Sequence, residues 1–235
     1  MPGGRSGLFL SRLAAVMLAG LLLLAPTRAD DTEVDLALVL AIDCSFSVDS
    51  SEFRQQMEGL GQALMRPDVK AAIRAGAHQR IAITAYQWSD ADTQALILPW
   101  VVISGDADAD EVGRTLAAMP RKLAEGGTSI SAALMFGDAL FATAPRAPRQ
   151  VIDISSDGRN NVGPPVNAVR DRLVAEGIAI NAVTIMNEWP TLDTYFERQV
   201  VGGEGHFVIP ARDYVSYAEA IHKKLLREIT GPGVS

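Results

Sequence analysis

The sequence has only one cysteine in 235 residues, Cys44. A single cysteine excludes an internal disulfide, so the core must be stable without a covalent crosslink. A cysteine within an apolar run is more often a small buried side chain than a nucleophile, and no histidine lies near it in the sequence. We therefore expect Cys44 to be a buried, unreactive part of the core.

Histidine and the common catalytic motifs are also scarce. His78, His206 and His222 are the three histidines, and none forms a pair with the spacing of metal ligands. The sequence contains no Gly-x-x-x-x-Gly-Lys-Ser/Thr loop, no Gly-x-Gly-x-x-Gly loop and no Gly-x-Ser-x-Gly elbow. These absences argue against nucleotide-binding enzymes and serine hydrolases, and we expect that the protein is not an enzyme.

Residues 1–29 have the pattern of a secretory signal peptide. Arg5 and Arg12 precede an apolar segment over residues 13–25, and Thr27-Arg28-Ala29 places small residues at a cleavage position. The segment is too short for a comfortable membrane span. We expect cleavage near Ala29 and an exported protein, periplasmic or secreted, with no membrane span in the mature chain. An uncleaved amino-terminal anchor is the alternative.

Basic residues are the minority once residues 1–29 are set aside. The remainder has about 18 basic and 28 acidic residues, a net charge of about −10. Nucleic acids and anionic membranes attract basic surfaces, so neither is expected as the main partner.

Residues 30–235 read as one α/β domain. Apolar, strand-like runs near residues 34–42, 80–88, 94–103, 150–155, 178–185 and 206–209 alternate with amphipathic helical patterns. This alternation predicts a three-layer, doubly wound and mostly parallel sheet with helices on both faces. Pro99 indicates that residues 94–103 form an antiparallel edge strand, because proline cannot donate to a strand ladder. We predict a loop over the acidic residues 105–110, followed by a helix over residues 111–119.

Three segments rich in oxygen ligands follow strands or begin helices. Asp43-x-Ser45-x-Ser47 ends the first apolar strand, Thr128 follows Gly126-Gly127, and Asp157 ends the strand near residue 155. Ligands of such folds bind beyond the carboxyl ends of the strands, where these oxygens would suit a hard cation. Each segment also has a simpler interpretation, as a helix cap or a turn.

The five residues Asp43, Ser45, Ser47, Thr128 and Asp157 resemble the metal-ion-dependent adhesion site of von Willebrand factor type A domains, the fold of integrin I domains. The resemblance covers roughly residues 34–229. It is nearest to bacterial exported A-type domains of unknown function, which show a pattern similar to Ile152-Asp153-Ile154-Ser155-Ser156-Asp157-Gly158.

The resemblance implies a Rossmann-like fold and a metal site with one open coordination position. It implies that Asp43, Ser45, Ser47, Thr128 and Asp157 bind Mg²⁺, directly or through water, with Ca²⁺ or Mn²⁺ as alternatives. An acidic side chain of an unidentified partner protein would fill the open position. The expected function is therefore an exported, metal-dependent protein-binding module of the adhesion type. The alternative is a Mg²⁺-dependent hydrolase or phosphoryl-transfer enzyme that uses the same metal.

Other residues near the strand ends have two interpretations. Eight residues could either recognise a partner at the rim of the site or pack locally, and the sequence favours neither role: Trp88, Ser89, Asp90, Asn160, Asn161, Met186, Asn187 and Trp189. Asp153 lies too deep in its strand to reach the metal. We expect it to be structural, with Arg80 or a loop amide as its partner.

Overall fold

The structure is a computed structural model that describes residues 33–232. The predicted signal peptide at residues 1–29 lies outside the described residues and stays a prediction. Within residues 33–232, no helix is long and apolar enough to span a membrane.

Strands and helices alternate as the sequence predicts. The strands are β1 (Ala37–Asp43), β2 (Ile81–Trp88), β3 (Gln94–Ile103), β4 (Gln150–Ser156), β5 (Ile178–Ile185) and β6 (Val208–Ala211). The helices are α1 (Ser50–Leu64), α2 (Pro67–Ala75), α3 (Asp106–Ala117), α4 (Ile130–Leu140), α5 (Val166–Ala175), α6 (Leu192–Gln199) and α7 (Tyr214–Thr230), with a 3-10 turn at Phe141–Thr143.

The six strands form one sheet in the order β3-β2-β1-β4-β5-β6. β3 runs antiparallel to β2, and the other pairs are parallel. The order reverses between β1 and β4, which is where such sheets open a crevice at the carboxyl ends of their strands. The predicted doubly wound fold with one antiparallel edge strand is confirmed.

β1 supplies apolar side chains to both faces of the sheet. Leu38 and Leu40 pack in the layer that contains α1, α3 and α7. Val39 and Ala41 pack in the layer that contains α4, α5 and α6. Alternate residues of a strand point to opposite faces, so a strand covered on both sides must be apolar throughout. Cys44, just beyond β1, is buried and unpaired, and burial raises the pKa of its thiol.

Both edge strands of the sheet contain a proline. Pro99 lies in β3, as expected, and the register of β3 against β2 shifts near Ala85. Pro210 lies in β6, which is only four residues long. Proline lacks an N–H donor, and edge positions tolerate this best.

The third helix begins earlier than the sequence indicated. α3 starts at Asp106, so the predicted loop over residues 105–110 is wrong. Asp106 and Asp108 lie in the first turn, where negative side chains stabilise the amino-terminal end of a helix. Asp108 also accepts hydrogen bonds from the backbone and hydroxyl of Ser104. The acidic residues from Asp106 onward therefore form the first turns of α3.

A buried charge cluster ties α7 to the sheet. Lys224 Nζ lies 2.5 Å from Asp153 Oδ1 and 2.6 Å from Glu228 Oε1. Asn181 of β5 donates to Glu228 at 3.0 Å. Asp153 is thus structural, as expected, but its partner is Lys224 and neither Arg80 nor a loop amide, the two partners that we expected.

Replacing Lys224 with methionine tests this cluster. Two buried carboxylates would then lack their cation, so we expect the free energy of unfolding to fall by about 3–5 kcal/mol. The matched control is Lys223→Met, which breaks an exposed pair with Glu219 and should leave the free energy of unfolding nearly unchanged. Chemical denaturation measures both, and equal losses would contradict a structural role for the cluster.

The same cluster predicts a pH dependence of stability. Burial, followed by the Asp153 carboxylate, raises the pKa of Glu228 from 4.5 to about 7. The folded state therefore holds this proton more tightly than the unfolded state. The resulting stability is complete below pH 4.5 and is lost as the pH rises through 7.

Glu228→Gln should remove this dependence. The stability of the natural chain relative to the variant should fall by up to about 3 kcal/mol across that range. Denaturation at a series of pH values measures the difference, with the exposed Glu219→Gln as control. Parallel pH curves for the natural chain and Glu228→Gln would contradict the prediction.

Candidate metal centre

Asp43 is the last residue of β1 and is fully buried. Its Oδ1 accepts the backbone N–H of Ser45 at 2.7 Å, and its Oδ2 accepts the Ser156 hydroxyl at 2.5 Å. The carboxylate is therefore fixed between the loop after β1 and the end of β4.

The two serines of the first motif face the end of β4. Ser45 Oγ lies 3.3 Å from Ser47 Oγ, and Ser47 Oγ donates to Asp157 Oδ1 at 2.6 Å. This contact joins residues 110 positions apart in the sequence. Phe46, between the two serines, points away and is 77% exposed.

Thr128 reaches the same place from the loop before α4. A Cβ on Gly158 would lie 3.4 Å from Thr128 Oγ1 and 3.8 Å from Ser47 Oγ, so the two hydroxyls border a common space. The loop is tied to the first motif, because Phe46 donates its N–H to the carbonyl of Gly126 at 2.9 Å. The structure thus brings together all three segments of the predicted site.

The two aspartates of the centre disfavour each other's charge. Burial, and next the Asp157 carboxylate, raises the pKa of Asp43 from 3.8 to about 7. Burial also raises the pKa of Asp157, although hydrogen bonds from Ser47 and Tyr214 oppose the shift. A positive charge between these carboxylates would relieve their repulsion.

Three residues that the sequence analysis missed fix this arrangement. Ser156 holds Asp43, and Tyr214 of α7 donates its hydroxyl to Asp157 Oδ2 at 3.0 Å. Arg121 donates to the carbonyls of Val48 and Cys44, both at 2.7 Å, and so clamps the loop after β1. Ser156 was visible beside Asp157 in the quoted motif, whereas nothing in the sequence connects Tyr214 or Arg121 with the site.

The residues considered for the rim have different roles in the structure. Trp88 and Ser89 are fully buried and belong to the packing. Asn161 braces Thr128, accepting its N–H at 2.8 Å and donating to its carbonyl at 2.9 Å. Asn160 accepts the N–H of Ser131. Trp189 is 45% exposed and remains available at the rim.

The donor set fits a hard divalent cation. The hydroxyls of Ser47 and Thr128 border one space, and Ser47 bonds Asp157 beside it. A cation there would offset the like charges of the two aspartates, and magnesium and calcium prefer such oxygen ligands. Within residues 33–232, no group of three or more His, Cys, Asp or Glu side chains is placed to hold a metal. A site here would therefore depend on Ser45, Ser47 and Thr128 as well as the two aspartates, and their role as ligands stays a prediction.

Comparison with solved structures shows the fold. The chain is similar to proximal thread matrix protein 1 from the mussel byssus, in a form described as having a zinc-occupied MIDAS motif. The identity is 18%, the TM-score is 0.57, and the match covers 84% of this chain and 48% of that one. A von Willebrand factor type A protein from Catenulispora acidiphila is also similar, with 18% identity, a TM-score of 0.55, and coverage of 83% and 43%. The chain thus spans about half the length of each of these proteins.

A third similar structure is the vWF domain of the type V pili tip protein Mfa5 from Porphyromonas gingivalis. It has 11% identity and a TM-score of 0.56, with coverage of 82% of this chain and 94% of that one. No curated protein matches the sequence. These likenesses confirm the resemblance to von Willebrand factor type A domains at the level of the fold.

A family model matches residues 33–233, nearly all of the chain beyond the predicted signal peptide. The chain has the von Willebrand factor type A fold and belongs to the family described as "Protein of unknown function (DUF1194)".

Proposed function

We propose that this protein is an exported, metal-dependent protein-binding module. Asp43, Ser45, Ser47, Thr128 and Asp157 would hold a divalent cation, and the cation would bind an acidic group of a partner protein. The observation that carries the proposal is the space beside Gly158, which the hydroxyls of Ser47 and Thr128 border while Ser47 bonds Asp157. The bound cation would supply an electrophilic centre for the partner's carboxylate.

Mg²⁺ is the proposed ion, and Ca²⁺ or Mn²⁺ would fit the same oxygens. Three neutral hydroxyls and two carboxylates would balance a dication while leaving it attractive to another anion. The zinc described in the MIDAS motif of the mussel protein supports a divalent ion of some kind in this fold.

A binding role is proposed in preference to catalysis. Tyr214 touches Asp157, but burial and the nearby carboxylates raise the pKa of its hydroxyl, so it stays protonated and donates. Cys44 is buried with a raised pKa, which disfavours a thiolate nucleophile. Asp43 and Asp157 are engaged by neighbouring hydroxyls. No observation of these residues favours the hydrolase or phosphoryl-transfer alternative.

The partner and the location are part of the proposal. A pili tip protein with this fold supports an adhesive role outside the cytoplasm. The signal-peptide pattern of residues 1–29 supports export to the periplasm or beyond. The partner would be a protein that presents an exposed acidic side chain.

Magnesium should raise the Tm of the purified protein, because a ligand that binds only the folded state stabilises it. Asp43→Asn should abolish this rise, because the substitution removes one of the two carboxylates that would balance the charge of the cation. Gly158→Ala should abolish it as well, since the added methyl group enters the space between Thr128 and Ser47 at ordinary contact distances.

The matched control is Gly105→Ala, where an added Cβ meets nothing within 4 Å. This variant should keep the full response to magnesium. Thermal unfolding with magnesium and with chelator measures all four proteins. An unchanged Tm of the natural chain across magnesium, calcium and manganese would contradict the metal site.

Capture of the partner should require the metal. The immobilised protein, incubated with exported proteins of the source cell, should retain a partner in magnesium and release it in chelator. Asp43→Asn should retain none, and Gly105→Ala should behave as the natural chain does. Retention that survives chelation would place the interface away from the metal centre.

A further inference from the structure

Arg159 follows Asp157 by two residues and contacts two aromatic rings and one hydroxyl. Its guanidinium carbon lies 5.0 Å from the centroid of the Trp189 ring and 5.5 Å from that of Tyr195. Its Nη2 donates to Thr191 Oγ1 at 2.8 Å. Stacking on aromatic faces stabilises a guanidinium that has lost part of its water. The side chain is therefore positioned before any partner arrives.

Most hydrogen-bond donors of Arg159 have no acceptor in the part of the chain that the structure describes. A guanidinium has five N–H groups. Thr191 takes one of them, and Nε is buried without a partner. Arg170 and Arg172, by contrast, are paired with carboxylates. The donors left for a partner are therefore those on Nη1 and Nη2, and a carboxylate is the acceptor that best matches such a planar set of N–H groups.

The position of Arg159 connects it with the metal centre. It is two residues beyond Asp157, so the two Cα atoms lie at most about 7 Å apart. The loop that carries Trp189 borders the same edge of the sheet, because Asn187 donates to Glu52 at the start of α1 at 3.3 Å. Trp189 is 45% exposed, so the stack faces solvent.

The surroundings of the stack are otherwise acidic. Glu52 has a raised pKa, chiefly through burial, and the charges of Asp157 and Glu188 contribute to the shift. An isolated anion would be repelled here. Once a cation occupies the centre, an acidic segment would meet two positive groups, the cation and Arg159.

We propose that Arg159 binds a second carboxylate of the same partner segment, so the partner carries two acidic residues close together in sequence. The inference rests on the proposed function, because the first carboxylate is held by the cation. In an extended peptide, residues i and i+2 lie about 7 Å apart on the same side of the chain. Acid-x-acid is the pattern to test, because this spacing matches the limit of about 7 Å between the Cα atoms of Asp157 and Arg159.

Immobilised synthetic peptides test the proposal. One nine-residue peptide of glycine and serine carries a single central aspartate, and a second carries a further aspartate two positions later. In magnesium, the natural chain should bind the second peptide about tenfold more tightly than the first, the gain expected from one additional charge-assisted pair. Neither should bind in chelator.

Substitutions of Arg159 test whether this side chain causes the tighter binding of the peptide with two aspartates. Arg159→Gln should bind both peptides equally, at the level of the single-aspartate peptide. Arg159→Lys should keep only part of the gain, because lysine lacks the fork. Arg198→Gln is the matched control, since it removes one exposed positive charge from the far end of α6 and should keep the full gain.

The outcomes separate this inference from the proposed function. Equal binding of the two peptides by the natural chain would overturn the role of Arg159, and so would a gain that persists in Arg159→Gln. Failure of both peptides to bind, when magnesium still raises the Tm, would also overturn it while leaving the metal site intact. A Tm indifferent to divalent ions would remove the proposed function itself.

Discussion

The repulsion between two buried carboxylates, Asp43 and Asp157, is the constraint on which the candidate site depends. Burial and proximity make two full negative charges unfavourable, so that Asp43 titrates near neutrality. A proton and a divalent cation are alternative ways to relieve this repulsion. They must therefore compete, and metal affinity must depend on pH. The serines that bond these carboxylates fix them in place without neutralising them.

The sheet topology creates this arrangement. β1 and β4 are neighbours at the point where the strand order reverses, so Asp43 and Asp157 emerge side by side. Asp43 can therefore bond Ser156 at the end of β4, although the two residues are 113 positions apart in the sequence. Residues from other elements then complete the edge. Arg121 holds the loop after β1, Asn161 holds Thr128, and Tyr214 brings in the first turn of α7. The three residues that complete the edge thus come from three separate segments of the chain.

The fold was predictable because its signals are local. Apolar runs and the edge proline Pro99 each act within a few residues, and the structure has the expected strand at each place. The start of α3 was missed because an acidic run suits both a loop and the first turn of a helix. The order of Asp43, Ser45, Ser47, Thr128 and Asp157 could be recognised as a pattern. Their convergence could not be deduced, since it depends on strand order.

The partners of buried groups were the least predictable feature. Asp153 is paired with Lys224 from the last helix, and a sequence offers no means to choose it over Arg80, because both are single charges at large separation. The sequence likewise gives no means to predict that Tyr214 bonds Asp157 or that Arg121 bonds the loop after β1. Trp88 and Trp189 illustrate a related difficulty, since one is buried and the other exposed although each lies at or beyond the carboxyl end of a strand.

The prolines of the two outer strands also affect how copies of this protein meet one another. An uncovered strand displays a row of free amide and carbonyl groups that can recruit another chain, which leads to aggregation. Pro99, with the register shift near it, interrupts that row on one side, and β6 offers only four residues on the other, one of them Pro210. Self-association through sheet extension is thereby disfavoured at both borders. The proposed binding site lies elsewhere, at the carboxyl ends of the strands, so binding a partner there would not require either border of the sheet.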